Sequence, residues 1–149
     1  MPRAPSPSST RRHRLREAAV RVLYAIDIGG GDAGTAVERY TDTVADGPVQ
    51  PDLAEWVEGV SGRIEEIDAR IREASSHWKI ERMAALDRSV IRLGTWELLA
   101  RPEIPARVTI NEAVDIARRY GGDESPAFVN GILDRVARLI ESRVAEVDP

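Results

Sequence analysis

The chain has no cysteine. This excludes a disulfide framework, a thiolate metal site and a cysteine nucleophile. It has two histidines, His13 and His77, and one lysine, Lys79. No apolar run approaches the roughly 20 residues a membrane-spanning helix needs. The N-terminus has no apolar signal core; Met1 to Arg14 is rich in Pro, Ser and Arg. A soluble cytoplasmic protein is expected. No segment of five or more residues alternates cleanly with β-branched residues, so strands are not expected.

What the chain does have is helical periodicity and charge. Its 149 residues suit one domain with a core of its own. Residues 1 to 23 hold six arginines against one acid, Glu17, a local charge of +5. This leaves −9 for the remainder of a chain whose net charge is −4. A basic arm on an acidic body suits nucleic acid or another polyanion; a solvated tail is the plainer alternative.

Residues 1 to 8, with three prolines, read as disordered. Leu15, Ala19, Val22 and Ile26 then form one stripe, predicting a helix over about 10 to 28. A short helix is expected over 35 to 45, then a loop at 45 to 51 (ADGPVQP). One long helix is expected over about 52 to 75, with Leu53, Trp56, Val57, Val60, Ile64, Ile67 and Ile71 inward. Glu65, Glu66 and Asp68 read as its solvated face. A helix over 87 to 100 ends before Pro102 and Pro105. Thr109-Ile-Asn-Glu112 has the capping-box form and opens the next helix, which "YGGDES" stops. The last helix spans about 126 to 145. The fold class is all-α, with six or seven helices.

Several motifs fail their context test. "GGGDAG" (29 to 34) matches G-x-G-x-x-G in letters, but it follows a helix and no parallel sheet is in view. His77 and Glu81 have helical ligand spacing without a third ligand, so no metal is expected. No catalytic motif or cofactor motif appears.

Other positions invite function. Tyr24 falls opposite the apolar stripe of the first helix, near Arg21 and Glu17, where it could meet a base or a partner protein. In "LDRSVIRLGTWELL" (86 to 99), Glu97 sits in the apolar stripe and needs a donor, for instance a neighbouring helix N-terminus. Arg88 and Arg92 lie on the opposite side, where two forks could bridge phosphates or stay solvated.

The stretch "SPAFVNGILD" (125 to 134) combines an N-cap signal, Ser125-Pro126, with Asn130-Gly131 inside an apolar helical pattern. A helix is expected despite Asn-Gly. Gly131 would serve close packing, with its helix crossing the earlier one near Gly94, and Asn130 would satisfy polar groups.

Three stretches, "RRHRLREAAVRVLY" (11 to 24), "WKIERMAALDRSVIRLGTWELL" (78 to 99) and "VTINEAVDIARRYGGDESPAFVNGILD" (108 to 134), together resemble the bacterial transcription antitermination factor NusB family. Their order and spacing match over about residues 11 to 140. The resemblance implies about seven helices in two small bundles, about 11–80 and 81–145, forming one domain behind a disordered tail at 1–10. It implies no enzyme activity and no cofactor. It implies binding of single-stranded boxA RNA in ribosomal RNA transcripts together with ribosomal protein NusE. That complex would join NusA and NusG on RNA polymerase to read through terminators.

Residue by residue, the resemblance places Arg12, Arg14 and Arg16 in an RNA-binding arginine motif. It places Arg88, Arg92, Glu124 and Phe128 at or beside the RNA surface, and Tyr24 and Asp87 on the NusE side. Glu97, Asn111, Glu112, Asn130 and Gly131 read as structural. His13 interrupts the arginine run, and Ala127 stands where some relatives have a basic residue. Monomer and homodimer both stay open. Rival readings are a helical adaptor without RNA and a NusB-like module of a ribosomal RNA methyltransferase, whose catalytic domain is not in this chain.

Overall fold

A computed structural model describes residues 7–44 and 50–147. It contains seven α-helices: α1 (Pro7–Gly29), α2 (Ala33–Val44), α3 (Gln50–Gly62), α4 (Ile64–Ala74), α5 (Ala85–Ala100), α6 (Ala106–Tyr120) and α7 (Ser125–Val147). A single 3₁₀ turn, Ile80–Arg82, precedes α5. No strand occurs among the described residues, and no helix there is long and apolar enough to cross a membrane. The predicted tail at 1–10 overlaps the first helix. Residues 1–6 lie outside the described residues, while Pro7 to Thr10 already belong to α1.

α1 ends where Gly30 and Gly31 take φ of 76° and 97°, a left-handed conformation that glycine adopts without Cβ strain. The Gly30 N–H closes the helix on the Ile26 carbonyl at 2.7 Å. Asp32 then opens α2. It accepts the Thr35 N–H at 2.9 Å and the Thr35 hydroxyl at 3.0 Å. These bonds hold its carboxyl below the usual range. "GGGDAG" is therefore a helix stop followed by a helix cap.

The single long helix expected over 52–75 is two helices. Arg63 leaves the helical region (φ −121°, ψ 23°), and its N–H reaches only three residues back, to Val60, at 3.2 Å. The apolar pattern runs across the break because both helices bury the same side of the chain: Leu53, Trp56, Val57 and Val60, then Ile67, Ile71 and Ala74. α3 packs on α1 and α2, whereas α4 lies against α5 and α7. The chain crosses between its two groups of helices at Arg63 rather than near residue 80. The predicted loop at 45–51 is only partly visible; 45–49 lie outside the described residues, and Gln50 and Pro51 start α3.

α5 is the central helix, packed against α1, α3, α4, α6 and α7. Val90, Ile91, Leu93, Gly94, Thr95 and Trp96 are all buried, which leaves it little solvent face. Its glycine is a crossing point: a Cβ on Gly94 would stand 2.7 Å from Leu133 Cδ1 of α7. Gly131 is not its partner. Gly131 is exposed, and a Cβ there would meet nothing within 4 Å. Close packing does not explain it, although an exposed helical glycine costs about 1 kcal/mol relative to alanine. Asn130 and Asn111 are exposed as well.

The tightest glycine was not singled out in the sequence. A Cβ on Gly59 of α3 would lie 2.5 Å from Trp96 Nε1, in the core where Trp56 and Trp96 rings pack 5.2 Å apart. An indole cannot flex away as a methyl end can. Gly59→Ala is expected to lose about 1–3 kcal/mol from overpacking, read as a lower urea midpoint with an unchanged m-value.

Two predicted helix starts shift. α6 begins at Ala106 behind Pro105, whose carbonyl accepts the Val108 N–H at 2.9 Å. Thr109 therefore sits inside the helix, and the Thr109–Glu112 capping box does not form. Thr109 instead points its hydroxyl at Glu97, 3.4 Å away. In α7 the first bonded carbonyl belongs to Glu124, which accepts the Phe128 N–H at 3.1 Å. Ser125 Oγ accepts the Gly122 N–H at 3.0 Å, fastening the preceding loop rather than the helix.

Candidate nucleic-acid interface

The arginine run on α1 divides by what each side chain meets. Arg11 is exposed and pairs with Asp52 at 3.2 Å. Arg12 and Arg14 are exposed and have no ion-pair partner among the described residues. Arg16 is different: only 2% of it is accessible. Its Nη2 and Nε donate to the Glu97 carboxylate at 2.7 and 2.9 Å, and its guanidinium lies 5.7 Å from the Trp56 ring centre. Arg16 cannot reach an RNA backbone and is a core residue, contrary to its place in the predicted motif. A signal was present in the sequence. Arg16, Ala19, Val20 and Leu23 follow i, i+3, i+4, i+7, and all are buried.

Glu97 is the core carboxylate that its position predicts. Burial pushes its carboxyl above the usual range, and the Arg16 hydrogen bonds and charge, with Thr109, pull the other way.

His13, between the exposed arginines, faces α6. Its Nδ1 is 2.5 Å from Glu112 and its Nε2 is 2.7 Å from Glu17 and 3.7 Å from Asp115. Glu112 therefore acts structurally, as a tie between α6 and α1 rather than as a capping residue.

Arg88 and Arg92 do not face open solvent, since the end of α1 and helix α4 cover that side of α5. Arg88 pairs with Asp27 and donates to the carbonyls of Ile80 and Met83 at 3.2 and 3.0 Å. Arg92 holds Asp68 through two bonds of 2.9 Å and Asp27 at 3.2 Å. Burial lowers the Arg92 pKa, but Asp68 and then Asp27 outweigh it and keep the guanidinium above its ordinary value. Asp68, predicted on a solvated face, is buried in this cluster. Neither arginine is placed to bridge phosphates while these bonds stand.

Tyr24 is exposed, as its wheel position predicts. It borders a groove of about 260 Å³ lined with Val20, Leu86, Ile116 and Tyr120. The Tyr120 hydroxyl donates to Glu17 at 3.0 Å, and Arg21 lies 5.5 Å from its ring. Asp87 follows Leu86 on the first turn of α5. It is buried, and its Oδ1 has no hydrogen-bond partner among the described residues.

At the start of α7, Glu124 is exposed and Phe128 half-buried. Phe128 meets Trp78 edge to face, 5.9 Å between centroids at 83°. Trp78 was not a predicted site residue. No cluster of three or more potential metal ligands occurs among the described residues.

The described residues form an all-α body with a mostly buried central helix, two arginines without ion pairs on its first helix and an aromatic corner at its last. The NusB family model matches residues 13–138. The chain is 47% identical over 123 residues to the transcription antitermination protein NusB of Sorangium cellulosum, covering 82% of this chain and 88% of the relative. It superposes on NusB of T. maritima with a TM-score of 0.79 at 35% identity, covering 91% and 93% of the two chains. A chain in a crystal structure of a plectonemic RNA supercoil matches with a TM-score of 0.78 at 26% identity, covering 87% of this chain and 96% of that one. This chain belongs to the NusB family.

Proposed function

We propose that this chain binds single-stranded boxA RNA of ribosomal RNA operon transcripts jointly with ribosomal protein NusE. The assembly, with NusA and NusG on RNA polymerase in the cytoplasm, carries transcription through terminators. The observation that carries this reading is the pair Arg12 and Arg14. They stand exposed on α1 without ion pairs among the described residues, whereas Arg11 and Arg16 are matched by Asp52 and Glu97. An acidic body leaves this the natural face for a polyanion. Family membership, the antitermination name of the relatives and a similar chain in an RNA structure support it. The groove beside Tyr24 makes that side the proposed NusE surface, with Asp87 next in sequence to its lining residue Leu86. Coupling between the two partners would be reciprocal.

A salt titration of labelled boxA RNA tests the reading. The wild-type affinity should fall steeply with salt. In Arg12→Ala/Arg14→Ala the slope of log K against log salt should shrink by roughly 0.7 per lost phosphate contact. Equal binding of boxA and scrambled RNA, with and without NusE, would sink the boxA reading.

A further inference from the structure

We infer that the cleft between Trp78 and the second turn of α7 is a subsite for one unstacked nucleobase of the bound RNA. This rests on the RNA reading above and adds a specific contact to it. The cleft holds about 270 Å³ and is lined by His77, Trp78, Phe128, Gly131, Ile132 and Arg135 among others. That is below the roughly 300–1,000 Å³ of pockets for whole small molecules, and suits a single flat ring.

Five observations point to a base. Trp78 is 63% exposed, whereas Trp56 and Trp96 are 3% and 4% exposed. Its indole is a large apolar face left in water. Its backbone is nevertheless fixed: the Trp78 N–H donates to the Ser75 carbonyl at 2.9 Å, and the Ser75 hydroxyl, bonded to the Ile71 carbonyl at 2.7 Å, lies 3.2 Å from the Trp78 carbonyl. A held aromatic loses little freedom when a ring stacks on it. Phe128 stands at 83° to Trp78, so the two rings make a corner that can stack one face and bound one edge of a base.

Gly131 lines the same cleft, and no protein atom occupies the space its Cβ would take. The helix carries a destabilising residue that packing does not require. A glycine there keeps the cleft open for a ligand. The rim is cationic: Arg135 and Lys79 are exposed and have no ion pair among the described residues. A base with a phosphate on either side matches both the apolar corner and the positive rim. An apolar protein side chain would use only the corner.

The test is binding of boxA-type single-stranded RNA by the full chain with NusE present, on variants whose fold is checked by circular dichroism. Trp78→Ala should weaken binding roughly 5- to 150-fold, the range for one lost base stack, and Trp78→Phe should restore most of it. Gly131→Leu should fold, since its Cβ meets nothing, and should also weaken binding. Neither Trp78→Ala nor Gly131→Leu should change the salt slope, because no phosphate contact is lost. Arg135→Ala should lower it. One abasic position in the RNA should cost the wild type as much as Trp78→Ala does, and cost that variant nothing more.

If the wild type binds boxA and Trp78→Ala binds equally well, the subsite is wrong while the RNA reading stands. If Trp78→Ala loses NusE and keeps intrinsic RNA affinity, the cleft is a protein surface and the subsite is again wrong. If the wild type binds no RNA under any condition, both readings fall.

Discussion

Arg16→Ala is expected to lower folding stability by about 3–5 kcal/mol, the loss seen when one partner of a buried ion pair is removed. The argument is geometric. Glu97 is 1% exposed and would keep a carboxylate in the core with the Thr109 hydroxyl as its remaining hydrogen-bond donor among the described residues. The Trp56 ring would lose its cation as well. Against a total stability of about 5–15 kcal/mol for a domain, such a loss is a large fraction of the whole. Urea titration at 10–25 °C measures the change.

Glu97→Ala should do similar damage by stranding Arg16. The double replacement Arg16→Met/Glu97→Leu should recover much of the loss, because neither charge then remains buried. Any folded Arg16→Ala should keep the wild-type salt slope for RNA. A slope lower by about 0.7 would instead make Arg16 a phosphate contact. The pair also sets a pH trend. Because burial raises the folded-state value for Glu97, the unfolded chain ionises first as pH rises. Its contribution is full below the ordinary carboxylate range and declines as pH climbs through the raised value. Glu97→Gln should remove that component.

The pair shows where sequence reading works and where it stops. Helical period alone located the helices, since each buries a face spaced at 3.6 residues. It missed the break at Arg63 because α3 and α4 bury the same side, so the apolar pattern never falters. Glu97 was recognisable as a core carboxylate because it stands in an apolar stripe. Its partner was hidden, because Arg16 sits in a run of arginines and reads as one more surface cation. Its own stripe, with Ala19, Val20 and Leu23, carried the contrary signal.

Arg88 and Arg92 failed for a different reason. A wheel divides a helix into inside and outside, but α5 is surrounded, and its "outside" is covered by α1 and α4. The spread of Val90, Ile91, Leu93 and Trp96 around the wheel was the clue. Gly131 reverses the usual inference. A helical glycine suggests close packing, and that role belongs to Gly59 and Gly94. Their packing partners come from distant segments, which local pattern cannot reveal.

Asp27→Ala should give the second large effect, a loss of about 3 kcal/mol, at the lower end for a buried pair because the cluster is partly accessible. Asp27 is 16% exposed and accepts from both Arg88 and Arg92. Its removal leaves Arg92 with Asp68, and Arg88 with two carbonyls and no carboxylate partner. The loss should change little between 0.1 and 0.5 M salt, since the pairs are shielded from the ionic atmosphere. The same variant decides what the two arginines are for. If they are scaffold, they stay over α4, and the folded variant binds boxA RNA with the wild-type slope. If they are RNA contacts restrained by Asp27, releasing them should raise both affinity and salt slope, by roughly 0.7 for each new phosphate contact. A double-mutant cycle of Asp27→Ala with Arg88→Ala separates the outcomes. Strong coupling in stability with none in RNA binding is expected of a joint that holds the end of α1 onto α5.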